Sequence, residues 1–113
     1  SKRFQDAPAV ALATAAVLAV SLHGAFDTDE KICIGGTNAA RCASTARALA
    51  AAGFQTEEPC RRHPGASRRN IANRAGEGGV QLELSEGLRA RFRTEPALLQ
   101  RFAAAVREGL RSP

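Results

Sequence analysis

The chain has 113 residues, with 16 Lys and Arg against 11 Asp and Glu for a formal charge of +5; 44% of it is hydrophobic and only 4% aromatic. That length supports one domain at most, and an apolar share of this size with ordinary charge excludes both a disordered polymer and a collagen-like fibre. Alanine dominates the apolar residues, every aromatic is phenylalanine, and nearly all positive charge is arginine. A core made of alanine buries little area per residue, so a very stable autonomous domain is not expected. The start at Ser1 and the lack of methionine lead us to expect a piece of a longer polypeptide.

Lys2 and Arg3 ahead of the apolar stretch from Ala7 to Leu22 look like the opening of a secretory signal, but Asp6 and Pro8 interrupt the pattern. The stretch is also too short and alanine-rich to span a bilayer, so no membrane partner is expected. Of the two compartments, the cytoplasm is favoured over secretion. Asp6 and Pro8 instead mark a helix start, and Ala7 to Ala16 is rich in the best helix former. From Val17 a short apolar run ending at His23-Gly24 predicts a strand buried on both faces, as in a parallel sheet. Ala25 to Glu30 is a polar loop, and Lys31 to Ile34 a second strand stopped by Gly35-Gly36. Asn38 then caps a helix over 39–52 that Gly53 closes. Strand, loop, strand, helix is the order of an α/β fold.

Phe54-Gln55-Thr56 suggests a third strand, and Glu57 to Arg69, with its prolines and arginines, an exposed loop. Val80-Gln81-Leu82-Glu83-Leu84-Ser85 alternates strictly, so Val80, Leu82 and Leu84 share one face and Gln81, Glu83 and Ser85 the other. The chain ends in an amphipathic helix at about 94–110, with Thr94 as a cap, Pro96 in the first turn and Leu98, Leu99, Phe102, Ala103 and Val106 on one stripe. Cys33, Cys42 and Cys60 are odd in number with no close pair. Reduced, mostly buried thiols are therefore expected, and the spacing with His63 fits no structural zinc motif.

Three places could carry chemistry. His23 sits at the C-terminal end of a buried strand, where open α/β sheets place their sites, although a strand-end histidine can equally be structural. Glu83 puts a carboxylate among aliphatics in a strand. Burial there needs a partner and can tune it as a general base, whereas a solvent face would make it only the polar side of an edge strand. Arg74 with Asn70 and Asn73 offers guanidinium and amide donors suited to a carboxylate or phosphate. Arg61, Arg62, Arg68 and Arg69 form a basic loop that can attract a polyanion.

The series Ser21-Leu22-His23-Gly24, Ile34-Gly35-Gly36, Ala52-Gly53-Phe54, Asn70-Ile71-Ala72-Asn73-Arg74, Gly79 to Ser85 and Gly87-Leu88-Arg89 closely resembles the C-terminal half of the poly-γ-glutamate hydrolase family, over residues 8 to 92. The resemblance implies a zinc carboxypeptidase-like fold, here the C-terminal part of a mixed, largely parallel sheet flanked by helices. All 113 residues would then form a single, incomplete domain. It implies zinc-dependent hydrolysis of γ-linked polyglutamate or a similar acidic peptide, with His23 as a metal ligand, Glu83 as the general base, and Arg74 and Asn73 on a substrate carboxylate. The family's other two zinc ligands come from an H-x-x-E segment that this chain lacks. One of three ligands is present, and the isolated 113 residues are expected to bind metal weakly and hydrolyse little. The rival readings are a nucleic-acid-binding protein of phage replication type, which has only the high pI and the arginine loop behind it, and a non-catalytic remnant.

Overall fold

The computed structural model describes residues 5–67 and 69–111, so Lys2, Arg3 and Arg68 lie outside the described residues. Helix α1 (Ala7–Ala15) opens as the sequence predicts: Asp6 accepts a hydrogen bond from the Ala9 N–H, and Pro8 lies in the first turn, where its missing N–H costs nothing. Strand β1 (Ala19–Gly24) begins two residues later than the apolar run and carries His23 within it. Strand β2 (Lys31–Gly36) leads into helix α2 (Ala39–Ala51), capped by Asn38, whose side chain accepts from Arg41 N at 3.0 Å. Gly53 ends that helix at φ +94°, a conformation that a side chain disfavours.

Strand β3 (Gln55–Glu57) is short, a 3₁₀ turn covers Ile71–Arg74, and β4 (Gly79–Leu84) follows. The sheet order is β1-β4-β2-β3, with β1–β4 and β2–β3 parallel and β4–β2 antiparallel. This is the mixed, largely parallel sheet expected. β4 is buried along its whole length, so the edge-strand alternative for Glu83 does not hold.

The C-terminal region differs from expectation. The helix expected at about 94–110 is α4 (Pro96–Arg111), and a further helix that the sequence did not suggest, α3 (Glu86–Thr94), precedes it. Ser85 caps α3, and Pro96 forces the break, because the residue before a proline is pushed out of the helical region and Glu95 adopts φ −127° and ψ 80°. Thr94 is therefore the last residue of α3 and not a cap. The buried stripe of α4 comprises Leu98, Phe102, Ala105 and Gly109, while Leu99 is exposed.

The core lies on one face of the sheet. Ile32, Ile34, Val80, Leu82 and Leu84 meet Leu49 of α2, Leu88 of α3 and Leu98 and Phe102 of α4. Phe54, Phe92 and Phe102 pack edge-on and tilted, with ring centroids 5.2 to 6.4 Å apart. Branched aliphatics and phenylalanine thus fill the centre, and most alanines sit nearer the surface. Helices α2 and α4 approach closely at Gly109, where any Cβ would collide with the Thr45 backbone, and Ser44 Oγ donates to the Gly109 carbonyl at 2.5 Å.

The cysteines also depart from expectation, since Cys33 and Cys60 form a disulfide and only Cys42 is free. Linear spacing concealed this pair, which is 27 residues apart. The parallel pairing of β2 with β3 sets Cys33 beside Glu57, and the chain then turns back so that Cys60 N–H donates to the Ile34 carbonyl. Cys42 is buried on α2, and its thiol is pushed up to about 11 by loss of solvent.

Candidate functional site

The two faces of the sheet divide the chemistry. Val80, Leu82 and Leu84 point to the helices, and Gln81 and Glu83 point to the opposite face. Register brings partners to Glu83 from both sides, His23 of β1 and Cys33 of β2. His23 Nδ1 lies 3.6 Å from Glu83 Oε1, with the imidazole a quarter exposed and the carboxylate almost wholly buried. Burying a carboxylate demands hydrogen bonds, and Gln81 supplies one: its Nε2 donates to Glu83 Oε1 at 3.0 Å. Gln81 is held in turn by Asn70, whose Nδ2 donates to Gln81 Oε1 at 2.5 Å. Asn70 Oδ1 accepts from Ala72 N at 3.2 Å at the start of the 3₁₀ turn. A chain of side-chain amides thus runs from a buried turn to the carboxylate and orients it.

The wall over this face is the segment after β3. Gly36 N–H donates to the Pro64 carbonyl at 2.8 Å, and a Cβ on Gly35 would strike that same carbonyl. Gly65, at φ +62°, lies against the Gln81 side chain. The glycines at 35 and 65 therefore let the loop lie flat on the sheet. Between loop and sheet is an open cleft of about 580 Å³, whose lining includes His23, Phe26, Arg62, His63, Gln81 and Glu83. Arg62, which lines this cleft, makes an ion pair with Asp27 of the β1–β2 loop. The hydrogen bond from Arg62 holds the Asp27 carboxyl below its ordinary value, and that bond raises Arg62.

In a smaller pocket that shares Arg62, His63 and Glu83 with the cleft, Lys31 Nζ pairs with Glu57 Oε1 at 2.8 Å. The Lys31 hydrogen bond lowers Glu57, with a smaller contribution from the Arg61 N–H, and Glu57 raises Lys31. Cys33, Glu57 and Cys60 lie within 4.8 Å of one another. Both sulfurs are spent in the disulfide, which leaves no thiolate to bind a metal in this state. The cysteines and His63 do not assemble into a structural zinc site.

The structure brings His23 and Glu83 together but does not bring Arg74 and Asn73 to them. The Asn73 amide is consumed locally: Oδ1 accepts from Thr37 N at 3.2 Å and Thr37 Oγ1 at 3.0 Å, and Nδ2 donates to the carbonyls of Gly65 and Ser67. Asn73 thereby ties down the loop that walls the cleft. Arg74 donates to Gln5 at 3.0 Å and lines a separate concavity with Thr14 and Thr37. Sequence reasoning grouped Asn70 with these two, whereas its side chain serves Gln81. It assigned no role to Gln81, although the alternation had already set that residue on the same face as Glu83.

A catalytic zinc needs three protein donors and an open position. Among the described residues no set of three donors gathers around His23, so the residues present do not by themselves fit the metal.

Fold and site define an α/β protein with an imidazole and a buried carboxylate side by side on the polar face of a mixed sheet. The family model "Poly-gamma-glutamate hydrolase" matches residues 1–105, and the chain belongs to that family. The UPF0714 protein YndL of Bacillus subtilis (strain 168) is 40% identical over 73 residues, which is 62% of this chain and 29% of YndL. Among solved structures, a bacteriophage poly-gamma-glutamate hydrolase superposes with a TM-score of 0.88 at 26% identity, covering 96% of this chain and 59% of that one. A zinc-free apo form of YndL superposes with a TM-score of 0.73 at 33% identity, covering 80% and 46%. The chain therefore spans between roughly a third and three fifths of the lengths of these relatives.

Proposed function

We propose that this chain forms the part of a zinc-dependent hydrolase of γ-linked polyglutamate, or of a similar acidic peptide, that carries the general base and one metal ligand. The observation behind this reading is the pairing of His23 with an oriented, nearly buried Glu83 on adjacent strands. His23 would give one donor to zinc, and the other two would come from polypeptide beyond these 113 residues. A zinc held by His23 and two such donors would supply Lewis acidity toward an amide carbonyl. Glu83 takes the proton of the attacking water and returns it to the leaving amine, with Gln81 fixing which oxygen faces the substrate. Arg62 lines the cleft with most of its side chain exposed, and it can exchange Asp27 for a substrate carboxylate. Asn73 acts through the loop that it holds, and Arg74 would meet carboxylates of the same polymer farther from the cut bond.

The test is the Glu83→Gln variant, measured in a preparation that also contains the two missing donors. Cleavage of γ-linked polyglutamate should fall by about 10²-fold or more while zinc content stays unchanged. Undiminished turnover would remove Glu83 from the reaction, and loss of folding with loss of zinc would make its role structural. The 113 residues alone should bind zinc weakly and cleave little.

A further inference from the structure

Cys33, Glu57 and Cys60 meet because of how the sheet pairs, and not only because two of them are bonded. In the parallel ladder of β2 and β3, Cys33 is the register partner of Glu57. The chain then turns back through Glu58 and Pro59. The Arg61 N–H donates to Glu57 Oε2 at 3.1 Å, and the Cys60 N–H donates to the Ile34 carbonyl at 2.8 Å. Backbone pairing therefore gathers both sulfurs at one carboxylate, with all three donor atoms within 4.8 Å of one another, and cutting the S–S bond leaves that pairing in place. Glu57 Oε2 lies 3.3 Å from Cys33 Sγ. A disulfide sulfur carries no proton, so in the oxidised chain this contact is no hydrogen bond but an anionic oxygen facing a sulfur.

We propose that the reduced chain holds a zinc ion on Cys33 Sγ, Cys60 Sγ and a Glu57 oxygen, and that the disulfide is the oxidised, metal-free form of the same site. A dithiol reductant gives two electrons and two protons to the S–S bond, leaving two thiols and becoming a disulfide itself. Zinc binding then releases the two thiol protons to solvent. Sulfurs of a tetrahedral site with Zn–S bonds of about 2.3 Å stand about 3.8 Å apart, a separation within reach of two cysteines whose Cα atoms are 5.0 Å apart. Charge selects the occupant. Two thiolates beside a carboxylate bring three negative charges together, which without a cation keeps the thiols protonated. A divalent ion balances two of the three, and Lys31, with Nζ 2.8 Å from Glu57 Oε1, balances the third. Thiolates with a carboxylate suit zinc, whereas calcium and magnesium take oxygen ligands. A fourth ligand can come from the pocket that Cys33 and Glu57 line with His63 and Glu83, whose volume of about 20 Å³ admits one water. Cys60 opens the segment that carries Arg62 and His63 to the cleft. Disulfide and zinc would thus fasten the same wall to β2, one in oxidising and the other in reducing surroundings. The proposal does not depend on the hydrolase reading.

The test reduces the whole chain with a phosphine, which is no thiol ligand, in the absence of oxygen and titrates it with zinc alone. His23→Ala serves as the background, so that any zinc on the imidazole is not counted. The reduced chain should hold one zinc at least about 100-fold more tightly than the oxidised chain. With cobalt in place of zinc, thiolate-to-metal charge-transfer absorption should appear only after reduction. Glu57→Gln keeps both cysteines and should weaken zinc binding by about tenfold, and Cys60→Ser by about 100-fold. Both are compared with the reduced chain, which like Cys60→Ser has no bridge. Amide exchange in residues 57–67, quickened by reduction, should slow again when zinc is added. Equal zinc affinity before and after reduction, no thiolate absorption, or uptake indifferent to either substitution would overturn the proposal. So would a reduced chain that unfolds, because the site depends on the β2–β3 register.

Discussion

Leu82 and Leu22 are neighbours across the β4–β1 ladder, on the same face of the same sheet, and they end in opposite environments. On the Leu82 side, helices α2 and α4 close over the sheet, Gly109 lets them approach to backbone contact, and three phenylalanines seal the far end. On the Leu22 side the strand is as apolar, yet the adjacent helix packs chiefly on the 3₁₀ turn and buries none of its own residues. The difference shows that an apolar pattern establishes which face should be covered and says nothing about whether the covering element is present. The candidate site lies across this boundary, with Glu83 on a fully enclosed strand and His23 on the open one.

Substitutions can sharpen the contrast. Leu82→Ala should destabilise the chain by about 2–5 kcal/mol in denaturant unfolding, whereas Leu22→Ala in the free chain should cost no more than about 0.5 kcal/mol. Equal losses at the two positions would mean that the face over β1 is already covered. Gly109→Val is expected to rank close to Leu82→Ala, because its side chain would have to occupy the space held by the Thr45 backbone.

Reduction of Cys33–Cys60 should cost about 2–4 kcal/mol and act on the closed side, since the bridge ties β2 to the loop that walls the cleft. Hydrogen exchange would show the effect as faster exchange in residues 57–67, with β1 unaltered. Uniform acceleration across the sheet would contradict a local role.

The smallest expected effect belongs to the Lys31–Glu57 pair. Glu57 titrates below its ordinary 4.5 in the folded chain, so its contribution is complete above pH 4.5 and disappears as pH falls through the lower folded value. Lys31 titrates above its ordinary 10.5, so its contribution is complete below pH 10.5 and is lost as pH rises through the higher folded value. The melting-temperature difference between the native chain and Lys31→Met should therefore be level from about pH 5 to pH 10 and shrink on either side. A difference that peaks inside this window would assign it to other groups.

Much of the local structure was legible in the residues. Asp6, Asn38 and Gly53 mark helix ends through hydrogen bonds and backbone conformations confined to a few neighbouring residues, and the alternation from Val80 to Ser85 assigns faces by the period of a strand. Pro96 marked the start of α4 correctly, whereas α3 went unassigned although Ser85 caps it and Glu86 stands in its first turn. Asn73 and Arg74 show the opposite case: their residue types suit carboxylate recognition, and the fold directs one to backbone groups and the other to a different concavity.

Sequence alone determined the α/β class, the polar and apolar sides of β4, and His23 and Glu83 as the residues worth placing, because each of these depends on local spacing, residue chemistry or motif order. Only the tertiary structure decided that the two are neighbours, that Cys33 meets Cys60, that Gln81 and Asn70 orient the carboxylate, and that β1 is left uncovered. Those are properties of strand register and of loops returning from far along the chain. They follow from pairings between residues tens of positions apart, whose closure no local periodicity encodes.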